Sequence, residues 1–246
     1  MNLCNTPASK LLQHFFAQGI SIFSDLIGLF YPRVCAGCDA HLIKQEKDLC
    51  LLCLHQLPKT YFWDYEVSPV EKLFWGKIPV HAACSYLHFE EMNVTQRLMH
   101  RLKYDGKTGV GLALGESFAS ILKEKLWFSD LDIIIPVPLH ITKEVRRGYN
   151  QCAYIAEGIA NVYQVPVRTD VIKRVLASES QTRKSRYDRS ENVGSVFKVG
   201  RPMEVKGKNV LLVDDVVTTG STLEAAGLEL IHAGVNKLYI ATLAIA

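Results

Sequence analysis

No internal repeat and no low-complexity tract interrupts this sequence, and its charge is nearly balanced, with 28 Lys and Arg against 25 Asp and Glu for a net +3. With 48% hydrophobic and 22% charged residues over 246 positions, extended disorder is excluded, and there is material for one full core plus a small appendage. The small net charge gives no average pull toward nucleic acid, so basic residues count only where they cluster. GxxxxGK[ST] is absent, which excludes a Walker-type phosphate loop. A secretory signal with a small-residue cleavage site is also missing. Together with an odd total of seven cysteines, that predicts reduced thiols and a cytoplasmic protein rather than a disulfide framework.

Acidic residues are scarce in the stretch 11–32, where Asp25 stands alone among many apolar side chains. A membrane span is weakened by Gln13, His14, Gln18, Ser21 and Ser24. Leu11, Leu12, Phe15, Phe16, Ile22, Phe23, Leu26 and Ile27 recur at roughly helical spacing. Residues 1–32 are therefore expected to form an amphipathic helix, docked on a domain or lying on a membrane surface, with no stable span.

Four of the cysteines form two close pairs, Cys35 and Cys38, then Cys50 and Cys53, in the order C-x2-C-x11-C-x2-C. Two such knuckles can deliver four thiolates to one tetrahedral Zn²⁺, with redox-active pairs as the alternative. A segment as short as 33–58 cannot fold on a core of its own, so metal is expected to stabilise it. Cys4, Cys84 and Cys152 have no partners by spacing and read as small apolar residues.

After a linker-like run from 60 to 80, strands and helices alternate. Strands are predicted at 81–89, 132–138, 209–215 and 237–246, and helices at 90–106, 111–126, 149–164 and 221–234. Ile133–Val137 and Val210–Val213 are continuous apolar runs, the mark of strands covered on both faces. The fold class is therefore α/β, a mostly parallel sheet flanked by helices, over 80–246.

One of those apolar runs ends abruptly in Asp214 and Asp215, followed by Val216, Val217, Thr218, Thr219, Gly220, Ser221 and Thr222. In an open parallel sheet this position lies beyond the strand ends, where ligands bind. The hydroxyls and backbone N–H groups of 218–222 then sit at a helix N-terminus, which favours a phosphate. Ionised carboxylates only accept hydrogen bonds, so the acids suit sugar hydroxyls instead. A ribose 5-phosphate satisfies both halves. The plain alternative, a strand end followed by an ordinary helix cap, accounts for only one or two of these nine residues.

Residues 210–222, VLLVDDVVTTGST, resemble the 5-phosphoribosyl-1-pyrophosphate (PRPP) motif of type I phosphoribosyltransferases. More of the chain, from about 33 to the C-terminus, is similar to the ComF (GntX) family. The shared elements are PVPLH at 136–140, RGYNQ at 147–151 and LKYDG at 102–106, with Gln181, Thr182, Arg189, Asn192, Val193 and Phe197 in a basic segment. Ile141, Val145 and Ser178 depart from residues common at those places.

The resemblance implies a transferase fold in which Asp214 and Asp215 hold ribose hydroxyls and Val217, Thr218, Thr219, Gly220, Ser221 and Thr222 hold the 5-phosphate. Pro138, Leu139, His140, Lys143, Arg146 and Arg147 would then bind pyrophosphate, with Mg²⁺ bridging it. The stretch 168–189 carries seven Lys or Arg against three acids. Gln181, Arg183, Lys184, Arg186 and Arg189 are expected on a flexible loop that closes over PRPP, with a solvated hairpin or a single-stranded DNA contact through Tyr187 as alternatives. The family association with competence also implies DNA or a DNA-processing protein as partner. The acceptor nucleophile is not legible, and an oligomer is left open.

Overall fold

A computed structural model describes residues 32–90, 92–175 and 196–246. The expected N-terminal helix and the loop residues Gln181, Arg183, Lys184, Arg186 and Arg189 lie outside the described residues. The centre is a four-stranded, wholly parallel sheet. Its strands are β1 (Ala82–His88), β2 (Ile133–Pro136), β5 (Asn209–Val217) and β6 (Lys237–Ile245), in the order β1-β6-β5-β2. Two short strands, β3 (Ile172–Arg174) and β4 (Phe197–Val199), form a separate antiparallel ribbon. The helices are α1 (Leu51–His55), α2 (Pro69–Lys72), α3 (Val94–Tyr104), α4 (Thr108–Leu122), α5 (Ile141–Arg147), α6 (Gln151–Tyr163) and α7 (Ser221–His232).

The continuous apolar strands are buried on both faces, as expected. Leu211, Val213, Tyr239 and Ala241 pack on one side against Leu114 and Phe118 of α4 and Ile155 and Ile159 of α6. Val210, Leu212, Ile133 and Ile135 pack on the other against Leu223, Ala226 and Leu230 of α7. Each fully buried Leu, Ile or Phe contributes about 1.5–3 kcal/mol relative to exposure, which makes this two-faced burial the main source of stability.

Glycine permits the tight crossing of α4 and α6. A Cβ at Gly158 would stand 2.3 Å from the Leu112 carbonyl oxygen, and one at Gly115 would stand 2.4 Å from the Ile155 carbonyl oxygen. Both strand edges are covered: Lys59 bridges Leu87 at the β1 edge, and Val167 bridges Ile134 at the β2 edge.

Two regions differ from the sequence-based expectation. The linker-like run 60–80 is core material: Trp63 packs with the α4 side, and Val70, Phe74 and Ile78 with the α7 side. Its prolines start or follow short turns, so no long periodic stretch announces the burial. Residues 141–147, which fall between the predicted strand 132–138 and helix 149–164, form α5, which buries no side chain and so carries no hydrophobic period. His140 caps it, with Nδ1 accepting from the Thr142 N–H. At α3, the Asn93 side chain caps the Gln96 N–H, so the helix starts at Val94 rather than at Glu90.

Among the described residues no helix is long and apolar enough to cross a membrane.

Candidate active site

The C-terminal end of β5 carries the acid pair, and both residues are nearly buried, Asp214 at 9% and Asp215 at 7% exposure. Leaving two carboxylates in such a place requires donors, and two helices and the β5 backbone supply them. The Cys152 thiol on α6 donates to Asp214 Oδ1 at 3.3 Å, which also accepts the Asp215 N–H at 2.9 Å. Asp215 Oδ2 accepts from Gln151 Nε2 and pairs with Lys103 Nζ, each at 2.8 Å, while its Oδ1 accepts the Val216 N–H at 2.7 Å. Burial, reinforced by the Asp215 charge, pushes the Asp214 carboxyl up to about 7. Burial and the same two carboxylates push the Cys152 thiol well above its ordinary range.

Beyond the acids, Thr218–Gly220 form the turn into α7. Gly220 adopts φ +80, a left-handed conformation that favours glycine, and a Cβ there would approach the Phe74 ring at 3.1 Å. The Thr219 and Ser221 hydroxyls lie 2.9 Å apart. A shallow recess opens here, bordered by Asp214, by Val216–Thr222 and by Leu223. Thr218 through Thr222 are thus gathered at the N-terminus of a twelve-residue helix with Asp214 on the rim. Such a terminus presents backbone N–H groups and positive dipole to an anion.

The PVPLH segment lies beside this end of the sheet, because Val137 N–H donates to the Val213 carbonyl at 2.8 Å. Pro138, Leu139 and His140 are half-buried, and Lys143 and Arg146 are exposed on α5. Arg147 turns away to Gln151 Oε1 and stacks its guanidinium 5.3 Å from the Tyr104 ring centroid.

RGYNQ and LKYDG meet in one network. Gly148 ends α5 at φ +81, and Asn150 caps α6 through the Cys152 N–H while donating to the Val137 carbonyl at 3.0 Å. The Tyr149 hydroxyl donates to the Leu102 carbonyl. Three residues emerge that the sequence did not place at the acids, among them Lys103, visible only as a letter of LKYDG. Cys152, read as a small apolar residue, is a hydrogen-bond donor to Asp214. Gln151 was visible only as a motif letter; the signal was its position one residue after a helix cap.

The cysteine cluster also assembles. Among the described residues the sulfurs of Cys35, Cys38, Cys50 and Cys53 lie within 4.8 Å of one another, and Cys38 and Cys50 are 3.7 Å apart. Four thiolates at about 2.3 Å from one tetrahedral Zn²⁺ would stand about 3.8 Å apart, so the set can hold a metal. Burial would raise the Cys35 thiol, but N–H groups of Cys50, Cys38 and Gly37 directed at its sulfur bring it down to about 7. The segment is docked on α3, where Arg97 donates to the Gly37 carbonyl and Arg101 Nη2 donates to both Asp39 carboxylate oxygens. Its Cys35, Ala36 and Leu49 join the core beneath α4 and α6.

Residues 149–245 match the family described as "Phosphoribosyl transferase domain". Competence protein F of Haemophilus influenzae is 35% identical over 110 residues, 44% of this chain and 48% of that protein. Competence protein ComFC of Bacillus subtilis is 27% identical over 238 residues, 84% of this chain and 92% of that protein. The chain is thus similar to these competence proteins, and its residues 149–245 to phosphoribosyl transferase domains.

DNA utilization protein YhgH of Salmonella typhimurium is 30% identical over 129 residues, 51% of this chain and 56% of that protein. The chain thus spans about half the length of several curated relatives it matches. Among solved structures, the glutamine PRPP amidotransferase from B. subtilis complexed with ADP and GMP aligns at TM-score 0.43 and 19% identity, over 58% of this chain and 30% of that one.

Proposed function

We propose that this protein binds PRPP and transfers its phosphoribosyl group, with release of pyrophosphate. The observation that carries this reading is the recess where Asp214 faces the 218–222 loop at the start of α7. The loop holds the 5-phosphate, and the carboxylate rim accepts ribose hydroxyls. In such a transfer, positive charge grows on the ribose ring and negative charge on the leaving pyrophosphate, so cations do more than a nucleophile's activator. Lys143 and Arg146, exposed on α5 beside Pro138–His140, would supply such cations to the pyrophosphate. Arg147 supports Gln151 instead of reaching the ligand.

Mg²⁺ fits this chemistry, because an all-oxygen rim and a diphosphate are what it prefers; when bound it neutralises the leaving group. Residues 33–58 form a zinc-binding module through Cys35, Cys38, Cys50 and Cys53, and 80–246 form the transferase-like domain. Such thiols suit a reducing, cytoplasmic compartment.

The test is titration calorimetry with Mg·PRPP, followed by PRPP-dependent pyrophosphate release across a panel of bases and amines. Binding lost in Asp214→Asn supports the reading, and no binding by the wild-type chain removes it.

A second reading makes the same site a PRPP sensor in an adaptor for DNA or a DNA-processing protein. Lys173 and Lys198 favour it, standing directly opposite each other and exposed on the β3–β4 ribbon, an arrangement that costs stability without a polyanion. PRPP binding without pyrophosphate release, together with salt-dependent DNA binding lost on Lys173→Ala and Lys198→Ala, would select it.

A further inference from the structure

We propose that Cys38 is an oxidation site: peroxide joins its sulfur to that of Cys50 across the two knuckles, and the disulfide ejects the metal and loosens the cysteine segment from α3. This rests on the metal-binding reading above and goes beyond it.

The four thiols differ in access. Cys35, Cys50 and Cys53 are buried, whereas Cys38 is exposed. They differ also in how they are held. The Cys35 sulfur accepts the N–H groups of Gly37 and Cys50, each at 3.3 Å, and the Cys50 sulfur accepts that of Cys53 at 3.4 Å. Gly37 lies so close over the Cys53 sulfur that a Cβ there would stand 2.7 Å from it. Among the described residues no backbone N–H reaches the Cys38 sulfur, which meets the Cys50 sulfur at 3.7 Å.

One exposed thiol and one neighbour are thereby singled out. Oxidation of cysteine follows exposure and thiolate character, and metal ligation keeps a sulfur as thiolate. In the first step the Cys38 thiolate attacks peroxide: an S–O bond forms, the O–O bond breaks, and the departing hydroxide takes a proton to become water. In the second the Cys50 thiolate displaces hydroxide from the Cys38 sulfenic acid, and that hydroxide is protonated to a second water. The two thiolates give up two electrons, peroxide accepts them, and solvent supplies two protons. The sulfurs close from 3.7 Å to about 2.05 Å. A disulfide offers no anionic sulfur, so two of the four metal ligands are lost. Pairing within a knuckle would instead engage Cys35, whose sulfur two N–H groups hold, or Cys53, which Gly37 covers.

The seam with α3 responds because it grips the same turn. Gly37 and Asp39, on either side of Cys38, are held by Arg97 and Arg101, and Arg101 also donates to the Cys35 carbonyl at 3.4 Å. Drawing the Cys38 sulfur toward Cys50 shifts a turn whose flanking residues are pinned, so the arginine contacts yield.

The experiment uses the full chain loaded with Zn²⁺ and exposed to hydrogen peroxide. Released metal is followed with a chromogenic chelator, the disulfide by peptide mapping without reduction, and α3 by amide hydrogen exchange over 94–104. The expected result is loss of the metal together with a Cys38–Cys50 disulfide and faster exchange in α3, all reversed by dithiothreitol with added Zn²⁺. Cys38→His keeps a four-ligand set but removes the exposed thiol, so it should hold its metal under the same exposure. Cys84→Ala, which leaves the cluster intact, should respond as the wild-type chain does.

A disulfide that maps to Cys35–Cys38 or Cys50–Cys53 overturns the proposal, as does sulfinic acid at Cys38 without a disulfide, or equal metal loss in Cys38→His. Unchanged exchange in α3 rejects the loosening. If Cys38→His does not fold, mapping in the wild-type chain decides the pairing. A wild-type chain that binds no Zn²⁺ sinks the metal reading on its own, and the Cys38–Cys50 pairing is then upheld or rejected by the mapped disulfide alone.

Discussion

The cysteine cluster and the acid pair are built in opposite ways. All four sulfurs come from residues 35–53, so their convergence is a matter of two short knuckles. The acid pair draws Lys103 from α3 and Gln151 and Cys152 from α6, far away along the chain. A local site can be recognised from spacing. A dispersed one depends on the whole sheet-and-helix frame being in place. Yet the two are connected, because α3 carries Lys103 to the acids and also Arg97 and Arg101 to the cysteine segment.

The largest expected effect comes from breaking the local site. Cys53→Ser or a strong chelator should lower Tm by more than about 10 °C and strip metal, since metal-binding free energy in such sites is folding free energy. Cys84→Ala, buried in the same core but outside the cluster, serves as control. Equal melting of the two variants, with no metal in the wild-type protein, would falsify the zinc assignment.

Disturbing the frame should separate the two sites. Gly158→Val forces side-chain atoms onto the Leu112 carbonyl and pushes α6, which carries Gln151 and Cys152. Overpacking of this kind costs about 1–3 kcal/mol. PRPP affinity should fall while metal content stays at the wild-type level; a parallel loss of both would mean that the cysteine segment depends on α6 as much as the acids do.

A smaller effect is expected from titration. The Asp214 carboxyl sits near 7 against an ordinary 3.8, so the native state holds an extra proton between those values. Stability from this group is therefore full below pH 4 and falls as pH rises to about 7. Asp214→Asn removes that dependence, so its Tm relative to wild type should rise by a few degrees between pH 5 and pH 8, at about 2–4 °C per kcal/mol for a chain of this size. A difference that stays constant across that range would show the carboxyl to be ionised throughout.

The smallest effect belongs to the seam. Arg101→Ala removes a pair with Asp39, whose side chain is 59% exposed, and should cost no more than about 1 kcal/mol in a denaturant melt. A loss several times larger would mean that the docking of the cysteine segment, and not only its metal, holds it on α3.

Much of this was legible beforehand. The sheet could be read because Ile133–Ile135 and Val210–Val213 are too uniformly apolar to be anything but strands covered on both faces. The 218–222 loop could be read because hydroxyls, glycine and acids followed one of those strands directly. α5 could not be read, since none of its side chains is buried and nothing in it repeats. Trp63, Val70 and Phe74 were hidden in a proline-punctuated run whose burial depends on surfaces formed elsewhere.

What the sequence determined alone is local: the parallel strands, the four-thiol spacing, and a loop suited to phosphate beside carboxylates. Each depends on residues within about twenty positions of one another, where periodicity and chemistry are written in order. What only the tertiary structure decided is which acid borders the recess. Asp214 and Asp215 are identical neighbours in the chain, and they differ because folding brings Lys103 and Gln151 to one and a recess to the other. A carboxylate's role is set by the donors around it, and those donors arrive through space rather than along the chain.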